Sequence, residues 1–76
     1  MTKKRMKTKF GLAEYVDCPV ENNEFRVGVV FKIEYLIGQR KIQYGVVIRT
    51  SGEKRYYTES DLYKLRVTKN GFIRLK

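Results

Sequence analysis

The sequence predicts an all-β domain, a small antiparallel sheet closed into a barrel. Two alternating runs, Phe25 to Ile37 and Ile42 to Ile48, carry that expectation, together with turn signals at Gly38, Ser51-Gly52 and Asn70-Gly71. In the first run Phe25, Val27, Val29, Phe31, Ile33, Tyr35 and Ile37 are apolar at strict period two. That period excludes a helix and assigns the odd-numbered face to the core. At about 3.3 Å per residue such a run spans roughly 43 Å, more than a small domain needs. The strand is therefore expected to bend, with Gly28 the candidate position, and to serve two sheets as barrel strands do.

The other elements follow in chain order. Residues 1–9 hold Lys3, Lys4, Arg5, Lys7 and Lys9 with no apolar period, and read as a flexible, disordered basic arm ahead of a single domain over 10–76. A first strand is expected over Phe10 to Val16, with Phe10, Leu12 and Val16 on one face, interrupted by Glu14. Asp17 to Glu24 holds Pro19 and Asn22-Asn23 and reads as a loop. After a turn at Gly38-Gln39-Arg40, Ile42, Tyr44, Val46 and Ile48 form the inward side of a third strand. Ser51-Gly52 then closes a hairpin onto a fourth strand, Glu53 to Thr58. A two-residue loop sets Tyr57 opposite Val46 in the core. A three-residue loop with left-handed Gly52 sets Tyr56 there and Tyr57 opposite Gly45. One slip exchanges the faces, and both registers stay open.

Thr58-Glu59-Ser60-Asp61 has the spacing of a capping box, opening a short 3-10 turn near residues 59–64 that turns Leu62 and Leu65 inward. Arg66 or Val67 starts the last hairpin. A three-residue loop of Lys69-Asn70-Gly71 would match Val67 to Ile73 and Leu65 to Leu75, apolar to apolar.

Composition narrows the function classes. Seventy-six residues make one domain, and 42% hydrophobic residues suffice for one compact core. The single cysteine, Cys18, allows no intrachain disulfide and points to a reducing, cytoplasmic setting. No run is long or apolar enough for a membrane span or a secretory leader. The net charge of +9 is unevenly placed. Residues 10–37 hold two bases against five acids, between the basic arm and a stretch of ten bases against three acids. A surface polarised in this way draws anions to one side.

Catalytic equipment is sparse. With no histidine the chain lacks the commonest general base and metal ligand, and one cysteine cannot build a structural zinc site. Glu59 and Asp61 read as cap residues, Cys18 as a packed thiol, and the glycines fall singly at turns, with no phosphate loop among them. No catalytic residue, metal, cofactor or small-molecule substrate is expected.

The candidate site is basic and aromatic. Arg40, Lys41, Arg49, Lys54 and Arg55 lie at or beside two hairpin ends, and one of Tyr56 and Tyr57 must face outward by alternation. A flat ring beside guanidinium groups suits an unstacked base, and lysines suit phosphates. Lys3, Lys4 and Arg5 in the arm would add a nonspecific grip on backbone. Tyr15, Tyr35, Tyr44 and Tyr63 are read as core or half-buried.

The pieces Phe10-Gly11 to Val16, Gly28-Val29-Val30, Tyr44-Gly45-Val46-Val47, Ser51-Gly52 and Thr58 to Leu62 resemble the SH3-like small barrel over residues 10–67. The closest likeness is to its Tudor- and KOW-like branch, as in small phage and bacterial proteins. The chain departs from a full KOW motif beyond Gly28 and Val30, and offers no residue-by-residue Tudor cage. The resemblance implies a five- to six-stranded barrel that binds nucleic acid or a protein segment. The expected function is thus a monomeric, non-enzymatic nucleic-acid-binding module using the 38–57 hairpins and the arm. The alternative is an adaptor of phage type, binding an acidic protein partner or adding a strand to its sheet.

Overall fold

The computed structural model describes residues 7–75, which form six strands and three 3-10 turns with no α-helix among them. The strands are β1 (Tyr15–Pro19), β2 (Phe25–Leu36), β3 (Lys41–Ile48), β4 (Lys54–Thr58), β5 (Tyr63–Thr68) and β6 (Gly71–Arg74). They make one antiparallel sheet in the order β4-β3-β2-β1-β5-β6. The all-β antiparallel architecture is as expected, but the expected barrel closure is not found. β4 and β6 each pair on one side only, and the sheet stays open between them.

β2 is extended throughout, yet its odd-numbered side is not the core. Val30 is buried opposite Val46, and Gly28 is buried opposite Ile48. The register then shifts between Val30 and Lys32, leaving Phe31 as the extra residue of a β-bulge. Beyond the bulge the parity reverses, so Ile33 faces Tyr44 and packs on the core. The odd face therefore turns outward before the bulge, and beyond it only Ile33 of that face packs on the core. Phe25, Tyr35 and Ile37 end up exposed, Ile37 by 79%. A strictly alternating sequence cannot hold one face inward across an inserted residue. The irregularity expected at Gly28 lies three residues later. Gly28 instead serves packing, because a Cβ there would sit 2.3 Å from Val46 Cγ1 and 3.1 Å from the Val47 carbonyl.

The first strand also begins later than its alternation suggests. Phe10 is buried from a bend ahead of β1, while Leu12 is 64% exposed. Ala13, left-handed at φ 66°, gives its N–H to the Val30 carbonyl at 2.7 Å. Asp17, Cys18 and Pro19 belong to β1, so the expected loop shrinks to a tight turn. Asn22 and Asn23 both take φ 60°, and the Glu24 N–H closes on the Glu21 carbonyl at 3.2 Å. Two consecutive left-handed residues make a type I′ hairpin, a geometry asparagine tolerates.

The β3–β4 loop is longer than either register considered. The Gly52 N–H, at φ 76°, bonds the Ile48 carbonyl at 2.7 Å, so four residues, Arg49 to Gly52, make the connection. This loop keeps the parity of a two-residue one. Tyr57 pairs with Tyr44 in the core at 8% exposure, and Tyr56 pairs with Gly45 on the outside. The last hairpin uses a two-residue loop, Lys69-Asn70, pairing Val67 with Phe72 and Leu65 with Arg74. Val67 and Ile73 stay exposed, so no buried face enforced the apolar match expected there. Thr68 decides the turn locally, its hydroxyl accepting from the Asn70 N–H at 3.2 Å and donating to the Gly71 carbonyl at 3.0 Å.

The expected capped turn forms, but over Glu59–Asp61 only, and β5 begins at Tyr63, ahead of the Arg66 or Val67 expected. The Asp61 carboxylate accepts from the Thr58 N–H at 3.3 Å and the Thr58 hydroxyl at 3.0 Å, and Leu62 follows into the core. The core gathers Phe10, Val16, Cys18, Val30, Ile42, Tyr44, Val46, Ile48, Tyr57 and Leu62 on the inner side of the sheet. Two buried phenols fasten the segments that cover it. The Tyr44 hydroxyl accepts from the Lys9 N–H at 2.9 Å, and the Tyr57 hydroxyl donates to the Pro19 carbonyl at 2.7 Å. Each such bond is worth about 1 kcal/mol net, and leaving its buried partner unpaired costs more. Cys18 is a packed thiol, donating to the Arg26 carbonyl at 3.2 Å, and burial raises its pKa.

Two predictions follow from this packing. Gly28→Ala should lower stability by about 1–3 kcal/mol in urea, since the added methyl meets a methyl of the buried Val46, with the Val47 carbonyl close behind. Gly38→Ala, which meets nothing within 4 Å, should change stability little, and equal losses from both would contradict the assignment. Burial also lifts the Tyr44 and Tyr57 phenols above their ordinary value of about 10. The native state then holds these protons more tightly than the unfolded chain. Their contribution is intact below about pH 10 and lost as pH climbs through the raised values. Spectrophotometric titration should find two of the six tyrosines ionising only with loss of the strand circular-dichroism signal. Six ionisations complete in a folded protein would refute it.

Candidate nucleic-acid interface

The bulge that reverses β2 also builds the outer surface. Gly45 faces outward from β3 opposite Tyr56, and the Phe31 ring lies over its backbone. A Cβ at Gly45 would fall 2.8 Å from Phe31 Cζ. The Phe31 and Tyr56 ring centroids stand 6.0 Å apart, inclined by 68°, and the Lys54 Nζ sits 5.3 Å from the Phe31 centroid. Tyr56 is 46% exposed. The result is an aromatic ledge, Tyr56 exposed and Phe31 half-buried, with an ammonium beside it.

The sequence-predicted cations divide by what surrounds them. Arg40, Lys41, Arg49 and Lys54 are exposed and have no carboxylate within 4.0 Å among the described residues. Arg55 lies on the inward parity, opposite Val46, and is clamped by two acids. Its Nη2 donates to both Glu21 carboxylate oxygens, and its Nε stands 3.0 Å from Glu53 Oε2. These bonds raise the Arg55 pKa and lower that of Glu21. A guanidinium held twice by carboxylates has little left for a phosphate. Tyr57 is a core residue, so both it and Arg55 leave the candidate surface. Lys3, Lys4 and Arg5 lie outside the described residues.

Other aromatic side chains join the outer face, among them Phe25, which the alternation assigns to the core. The Arg49 guanidinium lies 5.4 Å from the Phe72 centroid, and Phe72 packs on Tyr15 at 5.1 Å. Arg74 lies 4.6 Å from the Phe25 centroid and 4.0 Å from that of Tyr63, and its Nε and Nη2 reach Asp17 Oδ2 at 3.2 and 2.5 Å. A guanidinium on an aromatic face is attractive by about 0.5–1 kcal/mol where exposed. The available signal was the Asn22-Asn23 pair. Read as a type I′ turn, it sets β1 against β2 and turns Phe25 outward.

Arg40 is left-handed at φ 53°, closing the 3-10 turn Ile37–Gln39 where glycine would fit without strain. Arg40→Gly should therefore stabilise the fold by up to about 1 kcal/mol while weakening binding of a polyanion, two readouts moving in opposite directions. A loss of stability, or unchanged heparin retention, would contradict that pairing. No protein-family model, curated protein or solved structure matches the chain, so the geometry of these residues is the ground on which its function is argued.

Proposed function

We propose that this protein is a non-enzymatic nucleic-acid-binding module of SH3-like type, with its sheet left open. The fold part rests on β2, which pairs with β1 over its first half and with β3 over nearly its whole length, and on the capped turn between β4 and β5. The binding part rests on one observation: the Phe31–Tyr56 ledge carries a carboxylate-free Lys54, and the other predicted bases at the two ends of β3, Arg40, Lys41 and Arg49, are also unneutralised among the described residues. Exposed rings offer stacking that tolerates any base, worth about 1–3 kcal/mol each, and the cations supply phosphate contacts.

The salt dependence tests it. Four phosphates neutralised by Arg40, Lys41, Arg49 and Lys54 give a log–log slope of about −2.8 on single strands and about −3.6 on duplex. Affinity should then fall about fiftyfold or more between roughly 50 and 200 mM salt. Lys54→Ala and Tyr56→Ala should each weaken binding several-fold. Arg55→Ala should leave affinity nearly unchanged, because its charge is already neutralised. Absence of binding at low salt, or binding indifferent to salt, would reject the reading.

A second reading is favoured by the unpaired edges of β4 and β6, with Val67 and Ile73 exposed near the latter. An adaptor would add a partner's strand there, or dock an acidic protein on the same bases. Retention of a partner protein by a Lys54→Ala, Tyr56→Ala double variant that has lost oligonucleotide binding would favour it.

A further inference from the structure

We infer that the groove between Phe25 and Arg49 takes one unstacked base of a single strand, and that Asp17 receives its amino edge. This rests on the nucleic-acid reading above and narrows it to single strands. The groove, about 430 Å³, is lined by Asp17, Phe25, Arg26, Val27, Arg49 and Thr50. Arg49 lies at the beginning of the β3–β4 loop, where its N–H bonds the Val27 carbonyl at 2.9 Å, and its guanidinium rests by Phe72. Phe25 forms the facing wall, its ring fixed by Tyr63 at 5.7 Å and by Arg74. An aromatic ring and a guanidinium plane are the two surfaces on which unstacked bases rest.

The carboxylate favours a base. Asp17 spends only Oδ2 on Arg74, and its Oδ1 has no hydrogen-bond partner among the described residues. That oxygen accepts from an exocyclic amine such as cytosine N4 and offers no donor to a phosphate, whose charge Arg49 can still meet. A duplex keeps its bases stacked and presents phosphates, so it cannot place a base in this groove. Arg49 opens the β3–β4 loop and Lys54 is the first residue of β4, so both stand at the same hairpin end and a strand leaving the groove passes toward Lys54.

The test titrates the whole chain at about 50 mM salt with short oligo(dC), oligo(dT) and a duplex of equal length. Oligo(dC) should bind about fivefold tighter than oligo(dT), the value of one modest base contact, and both tighter than duplex. Asp17→Asn should abolish the preference for dC, whereas Arg49→Gln should weaken both oligonucleotides together. In the unmodified chain, Phe25 ring and Val27 methyl resonances should shift on adding oligo(dC), which carries the test if either variant fails to fold. Equal affinity for dC and dT, tighter duplex binding, or silent Phe25 and Val27 resonances in a bound complex would overturn the groove proposal and leave the broader reading standing. No binding of any oligonucleotide would overturn both.

Discussion

The inserted residue at Phe31 is the constraint on which the rest of this molecule depends. Before it β2 offers Gly28 and Val30 to the core, and after it Ile33. Without the insertion a β2 facing Gly28 and Val30 inward would bury Lys32 and Glu34, and desolvating those charges would cost far more than the apolar contacts return. The bulge resolves this conflict and throws the Phe31 ring onto Gly45, where no side chain competes with it. One irregularity thus sets the core parity and creates the aromatic ledge, joining the packing of the protein to its candidate site.

The acidic residues then select which bases remain available. Glu21 sits in the β1–β2 turn and Glu53 at the foot of β4, and together they hold Arg55. Asp17 on β1 holds Arg74, and Glu24 holds Arg26. As exposed ion pairs these contribute little to stability. They neutralise Arg55, Arg74 and Arg26, whereas Arg40, Lys41, Arg49, Lys54, Arg66 and Lys69 on the hairpins have no carboxylate within 4.0 Å among the described residues.

The hairpins show how backbone chemistry settled what hydrophobic pattern could not. Asn22-Asn23 made a tight turn where a loop was expected, because asparagine tolerates the left-handed region. Gly52 accepted a four-residue loop, which fixed Tyr57 inward and Tyr56 outward. At the last hairpin no fully buried side chain flanks the loop on either strand. The Thr68 hydroxyl and left-handed Gly71 chose a register that matching apolar side chains did not predict.

Alternation, turn residues and the Thr58–Asp61 cap determined that this chain is an antiparallel β protein, placed β3 and β4 closely, and put Arg40, Lys41, Arg49 and Lys54 at positions that are exposed, while leaving Tyr56 and Tyr57 undecided. These features are local, so they were legible along the chain. The sequence assigned the odd-numbered face of β2 to the core, which the bulge overturns, and it misjudged where β1 begins and how the last hairpin pairs. It also could not see that Arg55 is claimed by Glu21, thirty-four positions away, or that Arg49 rests on Phe72. Those outcomes belong to the tertiary structure alone. A bulge is an energetic compromise between strands, and an ion pair across the sheet exists only once the strands have chosen their partners.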